Sequence, residues 1–170
     1  MNLAGDLIRE TVAADTYRVS AEPVLLFAEL TNALALCVHD EARSVGGLLH
    51  LRFFGGGRPS DATDIELNSL LVILDRFKVE VLGSAAPSDA VQARIIAHES
   101  PTAVIDDVSA SLVDLLKADF EDSKIICGAE TLRRADPVYV SFQPCEGLVR
   151  VCARSELPAK ALRQRQRHDA

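Results

Sequence analysis

The sequence predicts an α/β domain built as a layered sandwich of mixed, largely antiparallel β-sheets with two main helices. Three observations carry this expectation. Leu67, Leu70, Leu71, Leu74 and Phe77 recur at three- and four-residue spacing, and so do Ile105, Val108, Leu112, Leu115, Leu116 and Phe120. Each set draws one apolar stripe along a helix. Around the helices lie about eight apolar or alternating runs, many in adjacent pairs, as antiparallel strands read in sequence. The clearest pair, residues 33–39 and 48–54, flanks a short polar loop and reads as a hairpin inside a core.

A chain of 170 residues is most simply one domain. Its expected extent is residues 1–157, followed by a basic, apolar-poor tail at 158–170 that would be flexible or would help contact an acidic partner. The net charge of −7 argues against nucleic acid and against an anionic membrane surface as partners. No apolar run reaches the length of a membrane span. The first fifteen residues carry three acids and one arginine, unlike a signal peptide, so a cytoplasmic location is expected.

Taken in order, residues 1–14 read as a short helix or a frayed end. Residues 16–30 look extended, with Pro23 marking a bend or strand edge. In the hairpin loop, Gly46 and Gly47 would allow backbone conformations closed to other residues. Gly55-Gly56-Gly57 then reads as a loop at the rim of a pocket, without the lysine and serine that a phosphate-binding loop needs. Thr63-Asp64-Ile65-Glu66 has the form of a capping box and opens the first helix. Residues 79–82 alternate as a strand, and 83–89 are turn-rich, leading into a short helix that ends at Ala93.

Residues 94–98 read as a strand ending in a surface turn through His98-Glu99-Ser100-Pro101. The second helix starts with Asp106 and Asp107, whose charges suit the positive end of its dipole. Residues 124–128 follow as a strand and 130–137 as a charged loop. Residues 138–142 and 148–153 form a hairpin by alternation.

The four cysteines, Cys37, Cys127, Cys145 and Cys152, include no C-x-x-C pair. They are expected to be free thiols rather than metal ligands, with Cys145 the most exposed. No cofactor and no metal site is indicated.

His50 is the ionisable residue of the second hairpin strand, between Leu49 and Leu51. A ring so placed is either a satisfied core histidine or half of a catalytic pair. The surrounding residues bear on this choice. Residues 30–40 read L-T-N-A-L-A-L-C-V-H-D, and after a short loop Gly46-Gly47-Leu48-Leu49-His50-Leu51 follows. Upstream, Asp15 to Pro23 carries a tyrosine, valine, serine and proline. This arrangement resembles the CheD family of chemotaxis proteins, with its L-G-S-C-V-A-V-C-L-Y-D strand followed by G-G-M-x-H-F. The likeness follows the order of elements along most of the chain and is tightest from Tyr17 to Leu51.

That resemblance implies a CheD-like fold, a chemoreceptor glutamine deamidase as ancestor, and His50 as the catalytic histidine. It also implies that the family's nucleophilic cysteine falls at Ala33. The preceding glycine and serine are Thr31 and Asn32, which speaks against a single engineered exchange of the cysteine. The hydroxyl that the family supplies upstream falls among Phe27, Ala28 and Glu29. Two further family segments differ. A K-I-F-G-G-A-like loop corresponds to residues 94–99, and an L-G-G-x-x-G-R segment to the charged stretch holding Arg133 and Arg134.

Covalent hydrolysis of an amide needs a thiolate to attack the carbonyl and a histidine to pass the proton to departing ammonia. An alanine methyl does neither. The expectation is a CheD-like protein that has lost deamidase activity and binds a chemoreceptor cytoplasmic domain or a CheC-type phosphatase. The alternative is an active amide hydrolase that uses Cys37, or His50 with Glu29 or His98. Cys37 lies four residues along the strand from Ala33, roughly 13 Å, which would put it beyond the histidine's reach.

Overall fold

A computed structural model of the chain describes residues 7–53, 64–83, 90–101 and 106–153, with side chains from residue 68 in the first helix and 112 in the second. The strands are β1 (Ile8–Thr11), β2 (Thr16–Ser20), β3 (Val24–Leu30), β4 (Ala33–Asp40), β5 (Val45–Arg52), β6 (Val91–Glu99), β7 (Ile126–Arg133), β8 (Val138–Gln143) and β9 (Leu148–Ala153). The helices are α1 (Asp64–Leu82) and α2 (Asp106–Asp122). One sheet runs β1-β3-β8-β9 and the other β2-β5-β4-β6-β7. Both are mixed: β1 pairs parallel with β3 and β6 with β7, and the remaining ladders are antiparallel. The predicted layered α/β sandwich is the architecture observed.

Three layers follow from two apolar faces on the five-stranded sheet. Leu34, Leu36 and Val38 of β4 join Leu49, Ile95, Phe77, Leu116 and Phe120 in the core under the helices. Their strand neighbours Ala33, Ala35 and Cys37 join Leu26, Leu30, Ile96 and Phe142 in the core between the sheets. A strand covered on both faces has no reason to alternate apolar with polar. That is why β4 reads as one continuous apolar run. Lys78 of α1 binds Asp119 of α2 at 2.6 Å and lies over the Phe120 ring, joining the helices across their exposed side.

Several local expectations are corrected. Residues 8–11 form an edge strand rather than a helix or frayed end, and little of that strand is buried to leave an apolar pattern. Residues 79–82 continue α1, because Val81 extends the stripe of Leu74 and Phe77. The helix stops at Gly83, whose φ of 67° suits a glycine. Leu71 and Leu115 are exposed, whereas Ile73 and Val113 pack inward in their place. Residues 91–93 belong to β6 and not to a helix. The charged loop from residue 130 is instead the second half of β7, an edge strand on which charges sit in solvent.

Gly46 and Gly47 lie within β5 without positive φ; in that turn it is Ser44 that takes the left-handed conformation, at 50°. Both glycines are required by space. A β-carbon on Gly46 would stand 2.6 Å from the Pro144 carbonyl oxygen, and one on Gly47 2.6 Å from the Phe77 ring. The glycine-rich loop at 55–57, the capping-box side chains, Leu67, Ile105, Val108, the aspartates opening α2, Pro87 and the tail at 158–170 lie outside the described side chains.

Candidate functional site

Both sheets contribute to the His50 surroundings. The ring belongs to the inner face of β5, since Leu49 and Leu51 on either side of it face the helices. In the β4–β5 ladder His50 stands opposite Ala35, with Arg52 opposite Ala33 and Leu48 opposite Cys37. His50 is therefore one diagonal step from Ala33 and one from Cys37. Diagonal neighbours in such a ladder are about 7–8 Å apart. The expected separation of Cys37 from the histidine is thus corrected. Distance along one strand does not measure reach from the next strand, and the ring stands midway.

The bend between β1 and β2 closes over this ring. His50 Nδ1–H donates to the Val12 carbonyl at 2.9 Å, and the Asp15 N–H donates to the His50 carbonyl at 2.7 Å. Asp15, at a φ of 58°, also binds Arg52 three times: backbone N–H to Oδ1 at 3.1 Å, Nε to Oδ2 at 2.8 Å and a terminal nitrogen to Oδ2 at 2.6 Å. Val12 thereby assigns the proton to Nδ1 and leaves the Nε2 lone pair available. Among the described residues nothing bonds Nε2. Burial, to 6% exposure, holds the His50 pKa below the ordinary histidine value. The Val12 carbonyl and the charges of Asp15 and Glu29 oppose this shift, and Arg52 reinforces it. A neutral imidazole with a free Nε2 is the form a general base takes. At one diagonal step lie the Ala33 methyl on one side and the buried Cys37 thiol on the other.

His98 is not in a surface turn. It is fully buried near the end of β6, directly opposite Ala33 on the other flank of β4. Sequence alone placed it at the surface because His-Glu-Ser-Pro is polar and turn-forming. The structure buries it because β6 is flanked by β4 and β7. Its Nδ1 accepts the Asn32 backbone N–H at 3.1 Å, and its Nε2–H donates to the Arg134 carbonyl at 2.9 Å. Asn32, at a φ of 46°, accepts the Ser100 N–H on its side-chain oxygen at 2.8 Å. Glu99 points to the opposite face of the strand and binds Arg133 at 3.3 Å. His98 and Glu99 do not form a dyad. His98 is a clamp that holds the β3–β4 turn against the ends of β6 and β7.

The remaining candidates separate in the same way. Cys37 is 2% exposed, and burial pushes its thiol up to about 12. A thiol so placed is almost wholly protonated at neutral pH and is a poor nucleophile. Glu29 is on the outer register of β3, opposite Tyr139, while Ala28 and Leu30 beside it face the core between the sheets. Among the described residues no group of three or more His, Cys, Asp or Glu side chains is placed to hold a metal ion. No helix among them is long and apolar enough to cross a membrane.

The structure thus brings Ala33, His50 and His98 onto one face, together with Cys37. It adds Val12, Asp15, Asn32 and Arg52, which sequence reasoning had not assigned to the site. An asparagine directly before a strand, where a left-handed turn residue fits, was the available signal for Asn32. Compared with protein-family models the sequence matches none, and no curated protein matches it.

Proposed function

We propose that the chain is a CheD-like signalling protein that binds its partner without hydrolysing it. The observation that supports this reading is Ala33. It occupies the position one diagonal step from a neutral His50 whose Nε2 is free, where a nucleophile would stand. Amide hydrolysis through an acyl-enzyme needs a sulfur–carbon bond to form and the carbon–nitrogen bond to break, with ammonia taking the proton. A methyl group cannot form that bond. The partner is a chemoreceptor cytoplasmic helix bundle or a CheC-type phosphatase, met in the cytoplasm.

A second reading, an amide hydrolase built on Cys37, draws support from the position of His50 midway between Ala33 and Cys37. The high thiol pKa and burial of Cys37 weigh against it.

Mass spectrometry of glutamine-containing peptides from a receptor cytoplasmic domain tests both. The expected result is no conversion of glutamine to glutamate by the chain as it stands, together with co-purification of the receptor domain or the phosphatase. Conversion that disappears in a folded Cys37→Ala variant overturns the binding reading in favour of the hydrolase. Absence of both conversion and binding to either partner overturns the CheD-like reading itself. An Ala33→Cys variant, run in parallel, measures how much of the hydrolytic site the scaffold still retains.

A further inference from the structure

A cavity lies at the other end of β4, away from Ala33. It is a half-open cleft of about 520 Å³ between the sheets, in the size range of small-molecule sites. Its floor is the inner face of the five-stranded sheet. Cys37 pairs there with Arg94, and Arg94 with Gly128, while His39 pairs with Gln92 and Gln92 with Ile126. Its roof is the β8–β9 hairpin, through Phe142, Gly147 and Val149. The five-stranded sheet extends past β9, so that Ile126 on β7 is 73% exposed.

Two observations point to an occupant. Gly128 sits in the middle of β7 with no positive φ, and a β-carbon built on it would meet nothing within 4 Å. The fold therefore gives no reason for a glycine there. Glycine in a strand interior weakens the strand and marks places where a ligand or another backbone comes close. At the rim, Arg94 binds Glu130 at 2.9 Å, with both side chains nearly half exposed. An ion pair in such a setting is held weakly and exchanges readily with other charged groups.

The paired charges restrict what can bind. A simple anion drawn to Arg94 meets Glu130, and a simple cation drawn to Glu130 meets Arg94. A head group carrying a carboxylate and an ammonium on one carbon satisfies both, and the apolar wall of Phe142 and Val149 takes an apolar body. We propose that this cleft binds a free apolar α-amino acid, with its carboxylate on Arg94, its ammonium on Glu130 and its side chain over Gly128. The proposal is independent of the function assigned to the His50 site.

Amide NMR of the full chain, titrated with L-leucine and with L-phenylalanine, tests it. Saturable shifts at Gly128 and Val149 are expected, with dissociation constants of about 0.01–1 mM. N-acetyl-leucine and leucinamide, each lacking one head-group charge, should bind at least about tenfold more weakly. Gly128→Val fills the open space and should abolish the leucine response. Arg94→Gln, at a half-exposed position, should weaken it in a chain that still folds. Shifts absent with both amino acids overturn the proposal, as do equal affinity for N-acetyl-leucine or unchanged binding in both variants. A response confined to an end-capped apolar tripeptide also overturns it, in favour of an extended peptide in the cleft.

Discussion

His98 faces Ala33 across the β4–β6 ladder with both ring nitrogens already engaged. One flank of the alanine is therefore structural, and the other, with the free Nε2 of His50, is chemically open. Replacing the fully buried His98 by alanine empties its site and leaves the part-buried Asn32 N–H and Arg134 carbonyl bonds unmade. A loss of about 2–4 kcal/mol is expected, combining a cavity with unmet hydrogen bonds. Urea unfolding measures it, and a loss below about 0.5 kcal/mol, the scale of an ordinary surface change, would contradict the clamp.

His50 makes stability depend on pH. Its folded pKa lies below the ordinary value of 6.5, so the unfolded chain takes up a proton first as the solution is acidified. The stabilisation is whole above about pH 6.5 and is lost as pH falls through the depressed folded value. The test is a difference between two profiles, that of the chain as it stands and that of a variant. In His50→Gln, whose amide can still donate to Val12, the unfolding midpoint should fall less steeply between about pH 7 and 5. Parallel profiles would show that burial of His50 is not what the chain senses.

The glycine pair in β5 should not tolerate even one added carbon. Gly46→Ala drives a methyl onto the Pro144 and Val38 carbonyl oxygens, at 2.6 and 2.9 Å, and backbone cannot swing aside as a side chain can. Gly47→Ala meets the Phe77 ring at 2.6 Å and Val19 at 2.9 Å. Each should cost about 1–3 kcal/mol, and more at Gly46. The reverse order in thermal unfolding would mean that the hairpin tip yields more easily than the core under α1.

The thiols should separate by burial. Cys37 and Cys127 are buried, and burial is the main reason their thiols rise to about 12 and about 11, while Cys145 and Cys152 are partly exposed. Native protein treated briefly with iodoacetamide should be labelled at Cys145 and Cys152 before the other two, as peptide mapping would read. Early labelling of Cys37 would mean that the cleft opens more deeply than its closed floor indicates.

How much of this was legible in the sequence depends on what each residue touches. The β4–β5 hairpin and the β8–β9 hairpin are written in alternation and apolar runs, because both strands of each pair face a core on at least one side. The exposed edges are not so written. β1 and the second half of β7 bury little, so no hydrophobic requirement shapes them, and their polar residues read as loop. His98 failed for the opposite reason: its polarity is satisfied by backbone groups from two other segments, Asn32 and Arg134, which no local window contains. The same applies to Val12 and Asp15, 38 and 35 residues before the ring they enclose (Val12 to His50; Asp15 to His50). Sequence singled out His50 and Ala33 as candidates, whereas the groups that surround them lie far away along the chain.

The bend from Val12 to Asp15 also carries the chain from one sheet to the other, since β1 belongs to the four-stranded sheet and β2 to the five-stranded one. Its Val12 carbonyl is what places the proton on Nδ1 of His50. The tautomer of that ring is therefore an internal gauge of how the two layers are seated. Anything that slides one sheet against the other, or peels β1 from β3, loosens the hold of the Val12 carbonyl on the Nδ1 proton and frees that proton to move to Nε2.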